Sequence, residues 1–465
     1  MKKRSFDRSL SLQPRFHRAI PGGAHTYAKG DDQFPEFCPP YMLRGKGCRV
    51  WDVDDNEYIE YGNGLRAVSL GHAYDPVIEA AYQQMKLGNN FSRPATLEME
   101  LAEAFLARVP GAEMVKFAKN GSDTTTAAIK LARAVSGRTK IAMCGDHPFF
   151  SVDDWFIGAT AINRGIPQSQ VQETLKFRFN DLQSAQQLFD QYPGEIACCI
   201  LEPEKYDAVD PAFLKGLQTL CHQKGALFIL DEMITGYRWH VGGMQTKLGI
   251  TPDLSTFGKA MGNGFSIAAL AGKREYMELG GLYHHEERVF LLSTTHGAEL
   301  PAMAAAKAVL EEYDREQVID YLAYQGERLR KGMLQIIEAH RLKRFMGVHG
   351  HPSCLVFSTR DENKKPSQAF RTLFMQEIIQ RGMIAPNLVL SFSHRDADID
   401  QTLEIVEEAA VVYRKALDEG VDKYLAGRSV APVYRKLNFP ADRISGKAVV
   451  KPNPTNERQR GQQSS

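Results

Sequence analysis

Short apolar runs alternate with longer stretches of helical spacing through the first two thirds of the chain. Residues 115–118, 140–144, 196–201, 226–230 and 266–271 read as strands, and 122–135, 212–224 and 300–313 as helices. Runs such as Ile196–Leu201 are apolar at successive positions, which predicts strands covered on both faces rather than one. Strands separated by helical stretches argue an α/β fold with a mainly parallel sheet and helices on both sides. From Pro301 to about His340 alanine and leucine recur at helical spacing, which reads as packing between units. From about residue 445 the chain is polar without apolar periodicity and is expected to be disordered. The segment from Tyr424 to Pro440 is expected either to wrap a partner subunit or to close a surface.

Composition narrows the field of partners. The 465 residues carry 43% hydrophobic content and a formal net charge of +1, ample for a large core and poorly suited to nucleic acid or an anionic membrane. No apolar stretch approaches the ~20 residues that cross a bilayer, and the basic start Met1–Arg8 lacks the apolar part of a signal peptide. Seven scattered cysteines without a CxxC pair fit reduced thiols in the cytoplasm and no metal site. The His284-His285-Glu286-Glu287 run reads as a solvated loop, and His72, His296 and His394 as structural hydrogen-bonding residues.

The chemistry concentrates at strand ends. Asp231 closes the apolar run Leu-Phe-Ile-Leu, and Lys259 follows a strand-like segment in Ser-Thr-Phe-Gly-Lys-Ala-Met-Gly-Asn-Gly. A lysine for an aldehyde and a carboxylate for a ring nitrogen are the two groups pyridoxal phosphate requires. The carboxylate would keep the pyridine protonated by opposite-charge stabilisation. The lysine would anchor the cofactor as a Schiff base, then act as general base. A third piece, Asn120-Gly121-Ser122-Asp123 before an alanine-rich helix, is a cap cluster whose N–H groups suit a phosphate. Each piece alone has an ordinary structural reading, as a solvated lysine, a turn-forming acid or a capped helix.

Together they resemble the class III pyridoxal-phosphate aminotransferases, and most closely their glutamate-1-semialdehyde aminomutase-like branch. The resemblance runs over roughly residues 20–420 and includes Pro21-Gly22-Gly23, Trp51-Asp52-Val53-Asp54, Leu70-Gly71-His72-Ala73, Ile200-Leu201-Glu202-Pro203 and Asp231–Arg238. It implies a fold type I transferase: a large cofactor domain at 70–310, and a smaller α+β domain built from 1–69 and 311–430. An extension, 431–465, follows. It further implies Lys259 and Asp231 as catalytic residues, with Gly121, Ser122, Phe149 and Glu202 at the cofactor. Thr295, or Thr294 in a shifted register, would reach the phosphate of a neighbouring subunit in a homodimer with shared active sites. Phe149 stands in Phe149-Phe150-Ser151 where the family writes Tyr-His-Gly.

Departures fall around the substrate. Lys29 stands where the branch has an arginine for the substrate carboxylate, and Gly64-Leu65-Arg66-Ala67 replaces Ser-Trp-Gly-Pro. Losing the tryptophan opens the pocket, while Arg66 and Lys29 bring cations to it. The expected function is transfer of an amino group from an amino acid donor, glutamate foremost, to a carbonyl acceptor such as a sugar or sugar acid of surface-polysaccharide or secondary metabolism. The alternatives are a glutamate-1-semialdehyde-type aminomutase and a catalytically silent cofactor-binding subunit.

Overall fold

The apolar runs become the strands of a seven-stranded central sheet in the computed structural model, which describes residues 4–38, 40–297 and 299–437. Three N-terminal strands come first: β1 (Met42–Lys46), β2 (Arg49–Asp52) and β3 (Glu57–Glu60). The central sheet follows with β4 (Met114–Ala118), β5 (Lys140–Cys144), β6 (Thr174–Phe177), β7 (Ile196–Leu201), β8 (Leu227–Asp231), β9 (Leu254–Phe257) and β10 (Ala268–Gly272). Its order is β4-β10-β9-β8-β7-β5-β6, with β10 antiparallel to both neighbours and the remaining pairings parallel.

β5 and β7 occupy the ranges read from the apolar pattern, and β4, β8 and β10 shift by at most two residues at an end. Strand β6 escaped that reading because Thr-Leu-Lys-Phe at the sheet edge carries only two apolar residues. Central β7 and β8 are buried at every position, as strands covered on both faces must be. The expected helices are Gly121–Ser136, Pro211–Gln223 and Leu300–Arg315, the last continuing after a break into Val318–Ala339.

Two smaller sheets flank this one. β11 (Met346–His349), β12 (Cys354–Thr359) and β14 (Leu388–Val389) form one in the order β11-β12-β14. β13 (Met383–Ile384) joins β1, β2 and β3, pairing parallel with β3 so that N- and C-terminal segments share a sheet. Part of the Tyr424–Pro440 segment is described. There the chain folds back on itself: Ala431 N–H donates to the Asp32 carbonyl (3.0 Å), Val430 N–H to Thr372 Oγ1 (2.8 Å), and Arg435 pairs with Asp32 (2.6 Å). The tail from about 445 lies outside the described residues.

Candidate active site

Asp231 ends β8 and Lys259 follows β9, neighbouring parallel strands whose C-terminal ends open on the same side of the sheet. Ligands of open α/β sheets bind at that end. Met233, two residues past Asp231, is the wedge that brings the pieces together. A side chain at Gly121 would meet Met233 Sδ at 3.0 Å, and one at Gly258 would meet it at 2.7 Å. A side chain on either glycine would push Met233 aside, and the start of the 121–136 helix, the end of β8 and the Lys259 turn close on one sulfur atom.

The buried Asp231 is half spent. Its Oδ1 accepts from Met233 N–H (3.0 Å) and from Thr256 Oγ1 (3.2 Å), while Oδ2 has no partner among the described residues. Burial and then the nearby Glu202 carboxylate push Asp231 up to about 6, against the pull of Lys259. Lys259 Nζ makes no hydrogen bond or ion pair among the described residues, and burial lowers its pKa more than Asp231 and Glu202 restore it. A lowered ammonium releases its proton more readily, as a nucleophile and base requires. Lys259 also adopts a left-handed φ of 46°, which a non-glycine residue holds only when its surroundings enforce it. Asn263 supplies that enforcement: Oδ1 accepts from Ser69 and Leu70 N–H (both 2.9 Å), and Nδ2 donates to the Gly71 carbonyl (3.0 Å).

At the helix start, Asn120 Oδ1 caps Asp123 N–H at 3.1 Å, and none of the described groups caps those of Gly121 and Ser122. The loop carrying Phe149 lies against this cradle, with Val152 N–H donating to Ser122 Oγ (3.0 Å) and Thr125 Oγ1 to the Phe150 carbonyl (2.9 Å). Phe149 is 42% exposed and packs edge-on against Phe156.

Glu202, at the end of β7, is buried and ion-paired to the buried Lys205. Its N–H donates to His147 Nδ1 (3.1 Å), so the uncharged ring carries its proton on Nε2; burial lowers His147 to about 4. Glu202 itself is lowered: burial opposes its charge, and Lys205, His147 and Lys259 together outweigh that penalty. Lys205 and His147 escaped the sequence reading. A lysine three residues after a strand-end acid was the available signal for the first; the second lay one residue from the aromatic motif that drew attention.

Arg66 is brought to the same cluster. Its charge acts on Lys259, and Glu202 and Tyr206 act on it. It donates Nε–H to Cys354 Sγ (3.2 Å), and its two Nη groups have no partner among the described residues. Lys29 is not brought there: it is exposed in the turn Tyr27–Lys29, and no described hydrogen bond or ion pair ties it to Arg66, Asp231 or Lys259. Thr294 and Thr295 are likewise exposed, the latter's carbonyl accepting from Asn90 Nδ2 (2.9 Å). Among the described residues no group of His, Cys, Asp and Glu is placed to hold a metal ion, and no helix is long and apolar enough to cross a membrane.

An unspent carboxylate oxygen, an unspent amine and two uncapped helix N–H groups fit the three polar ends of pyridoxal phosphate. Comparison with known proteins agrees. The aminotransferase class-III family profile matches residues 27–410. The chain belongs to the class-III aminotransferases. It is 30% identical over 426 residues to a 3-aminobutyryl-CoA aminotransferase of Cloacimonas acidaminovorans (strain Evry), covering 90% of this chain and 100% of that protein. It is also 30% identical over 431 residues to glutamate-1-semialdehyde 2,1-aminomutase 2 of Bacillus cereus (strain AH820), covering 87% and 98%. Among solved structures, the FumI protein of Sphingopyxis sp. MTA144 in its PLP internal aldimine form superposes with a TM-score of 0.81 at 27% identity, over 89% of this chain and 98% of that one. This class-III aminotransferase is a pyridoxal-phosphate-dependent transaminase of fold type I.

Proposed function

We propose that the enzyme moves an amino group between an amino acid donor and a carbonyl acceptor, at least one of which carries a carboxylate met by Arg66. The observation behind this reading is the half-buried Arg66 guanidinium, whose charge acts on Lys259 and whose Nη groups are unpaired among the described residues. A cation held there without a carboxylate has its partner supplied by the substrate. Glutamate is the donor this reading favours, and a sugar acid would meet the same cation as acceptor.

When bound, pyridoxal phosphate supplies an aldehyde that joins the amine and a protonated ring that receives the electrons released at Cα. Asp231 Oδ2 would hold the proton on the ring nitrogen, and the N–H groups of Gly121 and Ser122 would hold the phosphate. Lys259 Nζ takes the proton from the donor's Cα and returns one when the acceptor is converted. Glu202, fixed by Lys205, closes the site beside Asp231, and Phe149 would cover the cofactor from its loop. The cofactor domain spans 70–310 in this reading, with 1–69 and 311–430 forming the smaller domain. The seven cysteines, buried and unpaired, suit the reducing cytoplasm.

Replacing Arg66 with alanine is expected to raise the apparent dissociation constant for L-glutamate about 30-fold, the loss of a charge-assisted hydrogen bond worth ~2 kcal/mol. Half-reaction kinetics followed by the cofactor spectrum give this number. An unchanged constant would remove Arg66 from the substrate site.

Two chains are proposed to share the work. Helix Asp75–Leu87 exposes Ile78, Tyr82 and Met85 on one face, near 45% or more of each, beside the exposed Phe91 and Met99. A second copy covering this stripe would bury it, and the exposed Thr295 is offered to that copy's phosphate. Sedimentation equilibrium should return the mass of a dimer, twice the 52.0 kDa of the chain. A monomer at micromolar concentration would contradict the shared site.

A further inference from the structure

Four consecutive residues ending on Arg66 itself are left-handed: Asn63 (φ 44°), Gly64 (57°), Leu65 (61°) and Arg66 (74°). Glycine takes this conformation freely and asparagine tolerates it, but leucine and arginine avoid it. A turn of this kind persists only where the surroundings over-determine it, and such places cluster at functional sites.

What holds it is a buried arginine. Arg238 is fully buried, and its guanidinium has no carboxylate partner among the described residues. Nη2 donates to the carbonyls of Arg66 (3.1 Å) and Val68 (2.9 Å), and Nη1 to the carbonyl of Leu390 (3.0 Å). Nε has no partner. A charge buried against three carbonyls is costly to desolvate, and two of those carbonyls belong to the arm that carries Arg66. The entry to the turn is pinned separately: Glu60 Oε2 accepts from Asn63 N–H (2.6 Å), and Asn63 Nδ2 donates to the Val389 carbonyl (2.6 Å). The Arg66 side chain is steadied from the same sheet by Cys354 Sγ at 3.2 Å.

We propose that Arg238 is a positioning residue for substrate selection: it locks the left-handed Asn63–Arg66 turn so that Arg66 meets the carboxylate of amino-group donors. The inference rests on the reading of Arg66 as carboxylate receptor and adds what makes that receptor selective. A guanidinium fixed by its own backbone carbonyl loses little freedom when it binds, and a displacement of about 1 Å at such a clamp can cost on the order of a hundredfold.

Selection is read as the ratio of kcat/KM for β-alanine to that for propylamine, which replaces the carboxylate with a methyl group. Holoenzyme is used throughout, with wild type, Arg66→Ala, Arg238→Lys and Gly64→Ala. Arg238→Lys keeps the charge but not the planar fork that spans three carbonyls. Gly64→Ala leaves Arg238 untouched; its Cβ would meet only Val68 Cγ2 at 3.5 Å and Ala67 Cβ at 3.9 Å, so it disfavours the left-handed turn without crowding it. The expected result is a ratio well above one in wild type, lowered about tenfold or more in all three variants, with KM for β-alanine rising in each. A ratio that falls in Arg66→Ala but stays at the wild-type value in both Arg238→Lys and Gly64→Ala overturns the positioning role and leaves the Arg66 reading standing. A wild-type ratio near one, or one unchanged in Arg66→Ala, overturns both. Should Arg238→Lys fail to fold, Gly64→Ala alone decides: a lowered ratio supports the lock, an unchanged ratio overturns it.

Discussion

Lys259→Ala is expected to lose turnover by on the order of 10^4-fold while the protein stays folded. The loss follows from position. Lys259 Nζ is an amine without a hydrogen-bond or ion-pair partner among the described residues, on a half-buried residue held in a left-handed turn between β9 and the Asn263 clamp. Because Lys259 Nζ makes no hydrogen bond among the described residues, its removal leaves the surrounding hydrogen bonds intact, and the melting temperature should change little. Activity within tenfold of wild type by a coupled aminotransferase assay would show that another group carries the proton.

Asp231→Asn has the second largest expected effect, a fall in half-reaction rate of about 10^3-fold from loss of one preorganised charge at the ring nitrogen. Its pH behaviour separates this role from a structural one. Burial and Glu202 raise Asp231 to about 6, so the carboxyl is neutral below that pH and ionised above it. A neutral carboxyl cannot pair with a protonated ring nitrogen, so cofactor affinity of the apoprotein should fall as pH drops through about 6, and Asp231→Asn should abolish that fall. Stability runs the opposite way. A carboxyl with a raised folded pKa contributes stability that is present below its unfolded value and lost as pH rises through the folded one. Apo wild type should accordingly lose stability relative to Asp231→Asn on passing upward through about 6. Equal pH profiles for cofactor binding in the two proteins would place the ring nitrogen elsewhere.

The sheet was legible because its strands announce themselves. Ile196–Leu201 is apolar at each position because both faces are covered, and a run of that kind fixes both ends of the strand. The edge strand Thr174–Phe177 has no such pattern, since one side faces solvent and half its side chains are not core. Asp231 and Lys259 could be found because strand-end chemistry is local in sequence: an acid closing one apolar run, a lysine after the next. What holds them is not local. Met233 reads as one more apolar residue until Gly121 and Gly258 are seen on either side of its sulfur. The Asn63–Arg66 turn is equally hidden. Asn-Gly signals a turn, but the left-handed Leu65 and Arg66 are imposed by a guanidinium 172 residues away in the chain. Motif position alone places Lys29 at the substrate, whereas in this chain it is exposed in the Tyr27–Lys29 turn with no described hydrogen bond or ion pair to Arg66, Asp231 or Lys259.

Covalent mapping of the cofactor tests the central claim most directly. The holoenzyme would be reduced with borohydride, digested and sequenced by mass spectrometry to locate the lysine that carries the pyridoxyl group. Two lysines compete in the site: Lys259, half-buried with its amine unpaired among the described residues, and the buried Lys205, whose ammonium is committed to Glu202. Labelling at Lys259 is the predicted result. Labelling at Lys205 or any other lysine, with Lys259 unmodified, would contradict it.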